Sequence, residues 1–194
     1  MKYALMRNAK TLERIDNKLG KFTDEHWSNM MKLGHEGWEL FPKLKVFISF
    51  SECDRKRMEI IVKVLNNSEL LTSLVVESNR RSNESISNLV IESINESHYF
   101  IPILSEESIK TQWVNQEIGY AKSKVDLKLL PVTQSIIINT LKGFIHNQVQ
   151  LPYMFDLTDR PKSDRIQFEK LCNVILNDLE ALIEKNYTIV NYIK

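Results

Sequence analysis

From residue 45 onward, short apolar runs alternate with segments in which apolar residues recur at helical spacing. The short runs lie at residues 45–50, 70–76, 99–104, 127–132 and 151–156. A short, mostly apolar run is typical of a strand that is buried on both faces of a sheet. Apolar positions spaced by three and four residues predict helices at residues 54–66, 86–94, 111–124 and 166–185.

Strands that alternate with helices indicate βαβ units, and therefore an α/β domain with a parallel sheet and right-handed crossovers. In such domains ligands bind beyond the carboxyl ends of the strands. The loops at 51–54, 77–84 and 105–112 follow three successive predicted strands. We therefore expect any binding or catalytic residues to lie in these loops or in the helix that begins beyond the third.

Residues 1–42 show a different pattern, in which Leu12, Ile15, Leu19 and Phe22 fall on one helical face and Pro42 ends the segment. We predict a helical N-terminal extension at 1–42 and an α/β domain at 43–194 that includes the helix at 166–185. The extension is expected to cap the main domain, and the alternative is a surface for oligomerisation or for a partner.

The net charge and the cysteine content exclude several classes of protein. Lys and Arg number 26 against 25 Asp and Glu, so the net charge is +1. A near-neutral chain argues against a dedicated nucleic-acid binder and against disorder. The two cysteines, Cys53 and Cys172, form no CxxC pair, which favours a reducing compartment. No apolar stretch reaches the ~20 residues of a membrane helix, so we expect a cytoplasmic protein without a membrane partner.

Several common sites are missing from the sequence. It contains no GxGxxG, no GxxxxGK[ST] and no GxSxG. This excludes the usual dinucleotide-binding motif, the P-loop that binds nucleoside triphosphates, and the nucleophile motif of α/β-hydrolases. The four histidines show no metal-ligand spacing: His26, His35, His98 and His146. We therefore predict no bound metal and no cofactor.

The most informative segment lies in the predicted helix at 111–124. Trp113 and Glu117 are four residues apart, so they share one helical face. That face is expected to turn an indole and a carboxylate together toward the strand-end crevice. Such a pair suits a ligand that has a sugar and a planar base. The alternative interpretation is a surface glutamate beside a half-buried tryptophan.

Three segments, taken in order, resemble a Toll/interleukin-1 receptor (TIR) domain. They are VFISFS at 46–51, IESINES at 91–97 leading into FIPILS at 100–105, and WVNQEI at 113–118. The resemblance extends from residue 45 to about residue 185. It implies a flavodoxin-like three-layer sandwich whose five-stranded parallel sheet is covered by helices.

Some TIR domains cleave NAD at the nicotinamide–ribose bond, and their catalytic glutamate stands in a W-x-x-x-E pattern. The resemblance implies that Glu117 has this role here. It further implies that NAD is bound by Phe50, Ser51, Glu77, Arg80, Arg81 and Trp113. The loop at 79–84 departs from the family pattern, because it lacks the glycine that the family often has there.

The expected function is that of an NAD glycohydrolase or ADP-ribosyl cyclase, with NAD as substrate. A bare TIR protein of this size is similar to the signal-producing subunits of bacterial antiphage systems such as Thoeris, in which a nucleotide messenger reaches a separate effector. TIR–TIR self-association is also expected. Three alternatives stay open: a TIR adaptor or virulence protein without catalysis, a nucleoside deoxyribosyltransferase-like enzyme, and a domain whose crevice is empty.

Overall fold

The computed structural model describes the backbone at residues 2–7, 39–41, 43–76, 83–141, 152–158, 160–186 and 188–192. It describes side chains within 43–76, 87–141, 152–158 and 160–185. Contacts divide the chain into two units, Leu44–Leu176 and Met1–Lys43 with Asn177–Lys194. The predicted division into 1–42 and 43–194 stays a prediction.

The strands in chain order are β1 (Lys2–Arg7), β2 (Glu39–Phe41), β3 (Leu44–Ser49), β4 (Leu71–Leu74), β5 (Tyr99–Leu104), β6 (Lys128–Leu129), β7 (Val132–Gln134), β8 (Tyr153–Phe155) and β9 (Thr188–Tyr192). The described α-helices are α1 (Arg55–Leu65), α2 (Asn83–Asn95), α3 (Gln112–Lys122) and α4 (Pro161–Asn186). Short 3-10 turns lie at Glu52–Asp54, Ser108–Lys110 and Ser135–Thr140.

The larger unit is built on a parallel sheet. Its strands lie side by side in the order β4-β3-β5-β7-β8, and each neighbouring pair is parallel. This order reverses direction between β3 and β5, as in flavodoxin-like folds. The predicted α/β fold with a parallel sheet is therefore confirmed.

The fourth predicted strand, at 127–132, is divided into two pieces. β6 pairs with the start of β5, and β7 pairs with its end. Between them the Leu130 backbone N–H donates a hydrogen bond to Phe100 O at 2.9 Å, and Pro131 follows. Proline has no N–H and a fixed φ, which explains why the regular ladder is interrupted at this position.

A buried apolar cluster joins α2 and α3 to the sheet. Phe47 of β3 stacks on Phe100 of β5, with ring centroids 5.5 Å apart. Val114 and Ile118 of α3 belong to the same cluster, together with residues of α2. Because the apolar face of α3 is held against β3 and β5, the polar residues at the edge of that face are brought to the strand ends.

The smaller unit corrects the prediction of a helical extension. β1 and β2 are strands that pair antiparallel, and β1 also pairs antiparallel with β9. The helical prediction is therefore wrong for 2–7 and 39–41, while the predicted apolar face from Leu12 to Phe22 lies outside the described residues. One of the two pairing partners of β1, strand β9, is more than 180 residues away along the chain, so the local sequence pattern does not reveal that pairing.

The central strand provides a test of the core. Ile101 of β5 has no exposed surface, whereas Ile166 of α4 is 56% exposed. We expect Ile101→Ala to lower the free energy of unfolding by about 2–5 kcal/mol, through lost transfer free energy and a cavity. The matched variant Ile166→Ala is expected to change it by about 0.5 kcal/mol or less. Denaturant titration of both variants is the measurement, and equal losses would contradict the described packing.

Candidate functional site

Glu117 lies on the buried side of α3. It stands one turn from Val114 and Ala121 and next to Ile118, and these three apolar residues are 1–3% exposed. The apolar stripe fixes the rotation of the helix, so Glu117 is turned inward and only 7% of it is exposed. Trp113, one turn earlier, stays at the surface with 37% exposure. The predicted pair is therefore an exposed indole beside a buried carboxyl group.

Two small hollows meet at this pair. One has a volume of about 160 Å³ and lies between α2 and α3, where Val90, Ile94 and Tyr120 contribute to its lining. The other has a volume of about 50 Å³ and is lined from the strand ends by Phe47, Ile48, Phe50, Glu52, Arg55 and Val76. Trp113 and Glu117 line both hollows, so these two side chains form the partition between them.

Burial dominates the electrostatics of the carboxyl group. Desolvation raises the pKa of Glu117 from 4.5 to about 7. The Ser49 hydroxyl and the Trp113 indole act in the opposite direction, because each favours the charged form as a hydrogen-bond donor. Near neutral pH the side chain therefore changes between a neutral acid and an anion, as in many catalytic sites.

The structure brings together three of the residues predicted from the sequence. Phe50, Trp113 and Glu117 line the same 50 Å³ hollow. Ser51 follows Phe50 but does not line either hollow, and its hydroxyl lies 3.1 Å from Cys53 Sγ. Glu77, Arg80 and Arg81 lie outside the described residues, so their predicted contacts with NAD stay predictions.

Sequence reasoning missed three residues around Glu117. Ser49, at the end of β3, is 1% exposed and acts on the Glu117 carboxyl group. Glu52 and Arg55 line the smaller hollow and form a two-point ion pair, with N–O distances of 2.7 and 2.9 Å. The spacing of Ser49 from Phe47 was the available signal, since alternate strand residues share a face.

A second buried carboxylate, Asp54, is fully paired. It is completely buried, forms an ion pair with Arg57, and accepts a 2.8 Å hydrogen bond from Ser105 Oγ. The Ser108 hydroxyl in turn accepts a bond from the Ser105 backbone N–H at 2.6 Å. These bonds join the residues that follow β3 to those that follow β5, so Asp54 has a structural role at the strand ends.

A third hollow of about 720 Å³ lies between α1 and the first turns of α4. It shares no lining residue with the two hollows around Glu117. Its rim mixes both signs of charge, with Lys56, Lys63 and Arg165 beside Glu59 and Asp164. Size alone therefore does not assign a ligand to it.

Among the residues that the structure describes, no group of three or more His, Cys, Asp or Glu side chains is arranged to hold a metal ion. Within the same part of the chain, none of the helices has the length and hydrophobicity of a membrane span.

Comparison with known proteins decides the family. A sequence profile described as TIR domain matches residues 46–172, which is more than half of the chain. The chain belongs to the TIR domain family. No curated protein is a significant match. The site described above thus lies within the matched part of this TIR domain.

Two solved structures are similar to this TIR domain at low identity. One is the TIR domains of the activated Roq1 resistosome that directly recognizes the pathogen effector XopQ, with 20% identity and a TM-score of 0.43 over 70% of this chain and 84% of that one. The other is the CMP N-glycosidase BcmB of Clostridium botulinum, with 16% identity and a TM-score of 0.44 over 65% of this chain and 98% of that one.

The raised pKa of Glu117 makes stability depend on pH. The folded state holds the proton to about pH 7, whereas an unfolded glutamate releases it near pH 4.5. The folded state therefore binds more protons between these values, and its stability falls as pH rises through them. We expect Glu117→Gln to match wild type near pH 4 and to be more stable by about 3 kcal/mol near pH 8.

Denaturant unfolding of both proteins across pH 4–8 measures the difference in their free energies of unfolding. The other titrating groups are the same in both proteins, so their contributions cancel in this difference. Glu92→Gln on α2, where the side chain is exposed, is the control. A Glu117→Gln curve that stays parallel to that of Glu92→Gln would contradict the burial of the carboxyl group.

Proposed function

We propose that this TIR domain cleaves NAD at the nicotinamide–ribose bond and that Glu117 is its catalytic residue. One observation supports the proposal most strongly. The Glu117 carboxyl group, which has a pKa of about 7, lies beside the Trp113 indole at the edge of the parallel sheet where the strands have their carboxyl ends. Ligands of this fold type bind at that edge, and the position of Glu117 corresponds to the W-x-x-x-E glutamate of NAD-cleaving TIR domains.

The chemistry requires one anionic group. When the bond breaks, its electron pair goes to the cationic pyridine nitrogen, and nicotinamide leaves as a neutral molecule without a general acid. The ribose then has oxocarbenium character, as in glycoside hydrolysis. The Glu117 carboxylate would hold the ribose hydroxyls and stabilise this positive charge. Water attacks the anomeric carbon and loses a proton, or an adenine nitrogen attacks and gives a cyclic product.

The state of Glu117 before binding also fits a cationic substrate. A positive charge nearby favours the ionised carboxylate and lowers its pKa. The positive nicotinamide ring would therefore complete the ionisation of a group that is only partly charged at pH 7 in the free protein. The exposed Trp113 ring would pack against a planar ring of the substrate.

The proposal includes a movement of Trp113. The hollows of about 160 and 50 Å³ are each smaller than the roughly 300–1,000 Å³ of ordinary ligand pockets. Because Trp113 lines both and is 37% exposed, an outward turn of its ring would join them. Glu77, Arg80 and Arg81 would then contact the remainder of the dinucleotide.

The proposal extends to the biological setting. The family resemblance supports a cytoplasmic enzyme that self-associates through TIR–TIR contacts and makes a nucleotide signal for a separate effector in bacterial antiphage defence. The product would be ADP-ribose, a cyclic isomer or a conjugate.

A second candidate function is TIR–TIR association without catalysis. Three exposed apolar side chains favour it, because Leu89, Ile91 and Trp113 are 53%, 39% and 37% exposed on α2 and α3. Apolar surface of this kind marks interaction sites when it is contiguous. The two candidates differ in what they require of Glu117, since association alone does not need an ionisable group at that position.

The experiment is product analysis by mass spectrometry after incubation with NAD. Wild type is expected to release nicotinamide, and Glu117→Ala or Glu117→Gln to reduce the rate on the order of 10²-fold or more, as for other losses of a preorganised charge. Glu92→Gln is expected to keep the wild-type rate. Parallel incubation with deoxynucleosides tests the deoxyribosyltransferase alternative.

Full turnover by Glu117→Ala would remove the catalytic assignment. No nicotinamide release by wild type at any protein concentration, together with self-association that Glu117→Ala leaves intact, would favour the second candidate.

The pH profile supplies a separate prediction. Because kcat/KM reports the free enzyme and the reaction needs anionic Glu117, kcat/KM for NAD is expected to rise with pH to a plateau, with a midpoint at about 7. Steady-state kinetics between pH 5 and 9 measures it. A rate that is flat over this range, or that falls as pH rises through 7, would contradict a carboxylate mechanism.

A further inference from the structure

We propose that Ser49 is a positioning residue, whose hydroxyl donates a hydrogen bond to the Glu117 carboxylate and holds it toward the hollow at the strand ends. The catalytic meaning of this contact rests on the proposed function. The proposed hydrogen bond involves only groups of the unliganded protein, so it can be tested without turnover.

The alternation of side chains along β3 places Ser49 opposite α3. Phe47 packs in the cluster that contains Val114 and Ile118 of α3. Ser49 lies two residues beyond Phe47 and therefore points to the same face of the sheet. Glu117 lies at the edge of that apolar face of α3, one turn from Val114 and next to Ile118, so the last inward position of β3 is on the side of the sheet that α3 covers.

The Ser49 hydroxyl is buried and is available to donate a hydrogen bond. Ser49 is 1% exposed, and within the described residues its Oγ has no hydrogen-bond partner of normal geometry. A buried hydroxyl without a partner is unfavourable. The Ser49 hydroxyl nevertheless lies near enough to Glu117 to favour the charged form of its carboxyl group. We infer that the bond closes when Glu117 ionises, because an anionic acceptor makes a shorter and stronger bond.

The other titratable side chains described around Glu117 already have hydrogen-bond partners. In the described lining of the two hollows, the other titratable side chains are Glu52, Arg55 and Tyr120. Glu52 and Arg55 bind each other at 2.7 and 2.9 Å, and Tyr120 donates to Asn95 Oδ1 at 2.9 Å. Neutral donors, Ser49 and Trp113, are thus the groups that oppose desolvation of the carboxylate.

This arrangement has a consequence for substrate contact. A carboxylate has two oxygens with about four acceptor sites. If the Ser49 hydroxyl and the Trp113 indole N–H occupy two of them, the remaining sites face the hollow. The ribose hydroxyls of NAD would then meet an anion whose orientation is fixed before the substrate arrives.

The test is a carbon-13 NMR titration of the Glu117 side-chain carboxyl group in the full-length, unliganded protein. We compare wild type with Ser49→Ala, and we expect the midpoint to move upward by about one pH unit or more, because the donor that favours the anion is lost. Ser49→Cys, which keeps a weak donor of similar size, is expected to lie between the two.

Ser73→Ala is the matched control. Ser73 lies on the neighbouring strand β4, and its hydroxyl is also buried without a partner in the described residues. Its removal is expected to leave the Glu117 midpoint unchanged. A Ser49→Ala midpoint equal to that of wild type, or a Ser73→Ala shift of equal size, would overturn the proposal.

The same variants separate this proposal from the proposed function. If NAD is cleaved, the midpoint of the kcat/KM profile should move with the NMR midpoint in Ser49→Ala. If NAD is not cleaved by any variant but the NMR midpoint moves, the Ser49 contact stands and the NAD proposal fails.

Discussion

The burial of one carboxylic acid at the edge of the sheet is the constraint on which the account depends. The apolar stripe of α3 packs against β3 and β5, and this packing turns Glu117 inward. A charged carboxylate in such a position loses its hydration. The pKa of Glu117 is raised, and its hydrogen-bond donors within the described part of the chain are the neutral side chains of Ser49 and Trp113. The packing of α3 thus buries Glu117, and burial gives it a pKa at which it gains and loses a proton near pH 7.

A comparison between the two buried carboxylates shows why only one is a candidate for catalysis. Asp54 is completely buried, but Arg57 and Ser105 satisfy it. A buried ion pair of this kind links elements of the fold. Among the residues that the structure describes, no cation forms an ion pair with Glu117, which borders two hollows. A carboxylate that reacts with a substrate needs oxygen atoms that are free to bind it and open space beside them. A structural carboxylate instead has its oxygen atoms bound to other groups of the protein.

The sequence was sufficient for the parallel sheet and for the side-by-side placement of Trp113 and Glu117, because both follow from local periodicity. It was insufficient for the depth of Glu117, which depends on how α3 packs against Phe47 and Phe100. Ser49 was missed for the same reason, since its neighbour comes from a distant element. The predicted strand at 99–104 forms as the wholly buried β5 although Pro102 has no N–H to donate to the ladder. The segments that form β1 and β2 were predicted to be helical. They form strands by pairing with each other and, for β1, with β9 near the other end of the chain, and such pairings are not visible in the local sequence.

The most direct test of the central claim is a crystal structure of the Glu117→Gln variant with intact NAD. We expect the nicotinamide-side ribose to lie in the hollow that is lined by Phe50, Trp113 and the side chain at position 117. A ribose hydroxyl should lie within hydrogen-bond distance of that side chain. Ordered NAD bound elsewhere, for example in the 720 Å³ hollow beside α1 and α4, with the space around position 117 still closed, would contradict it.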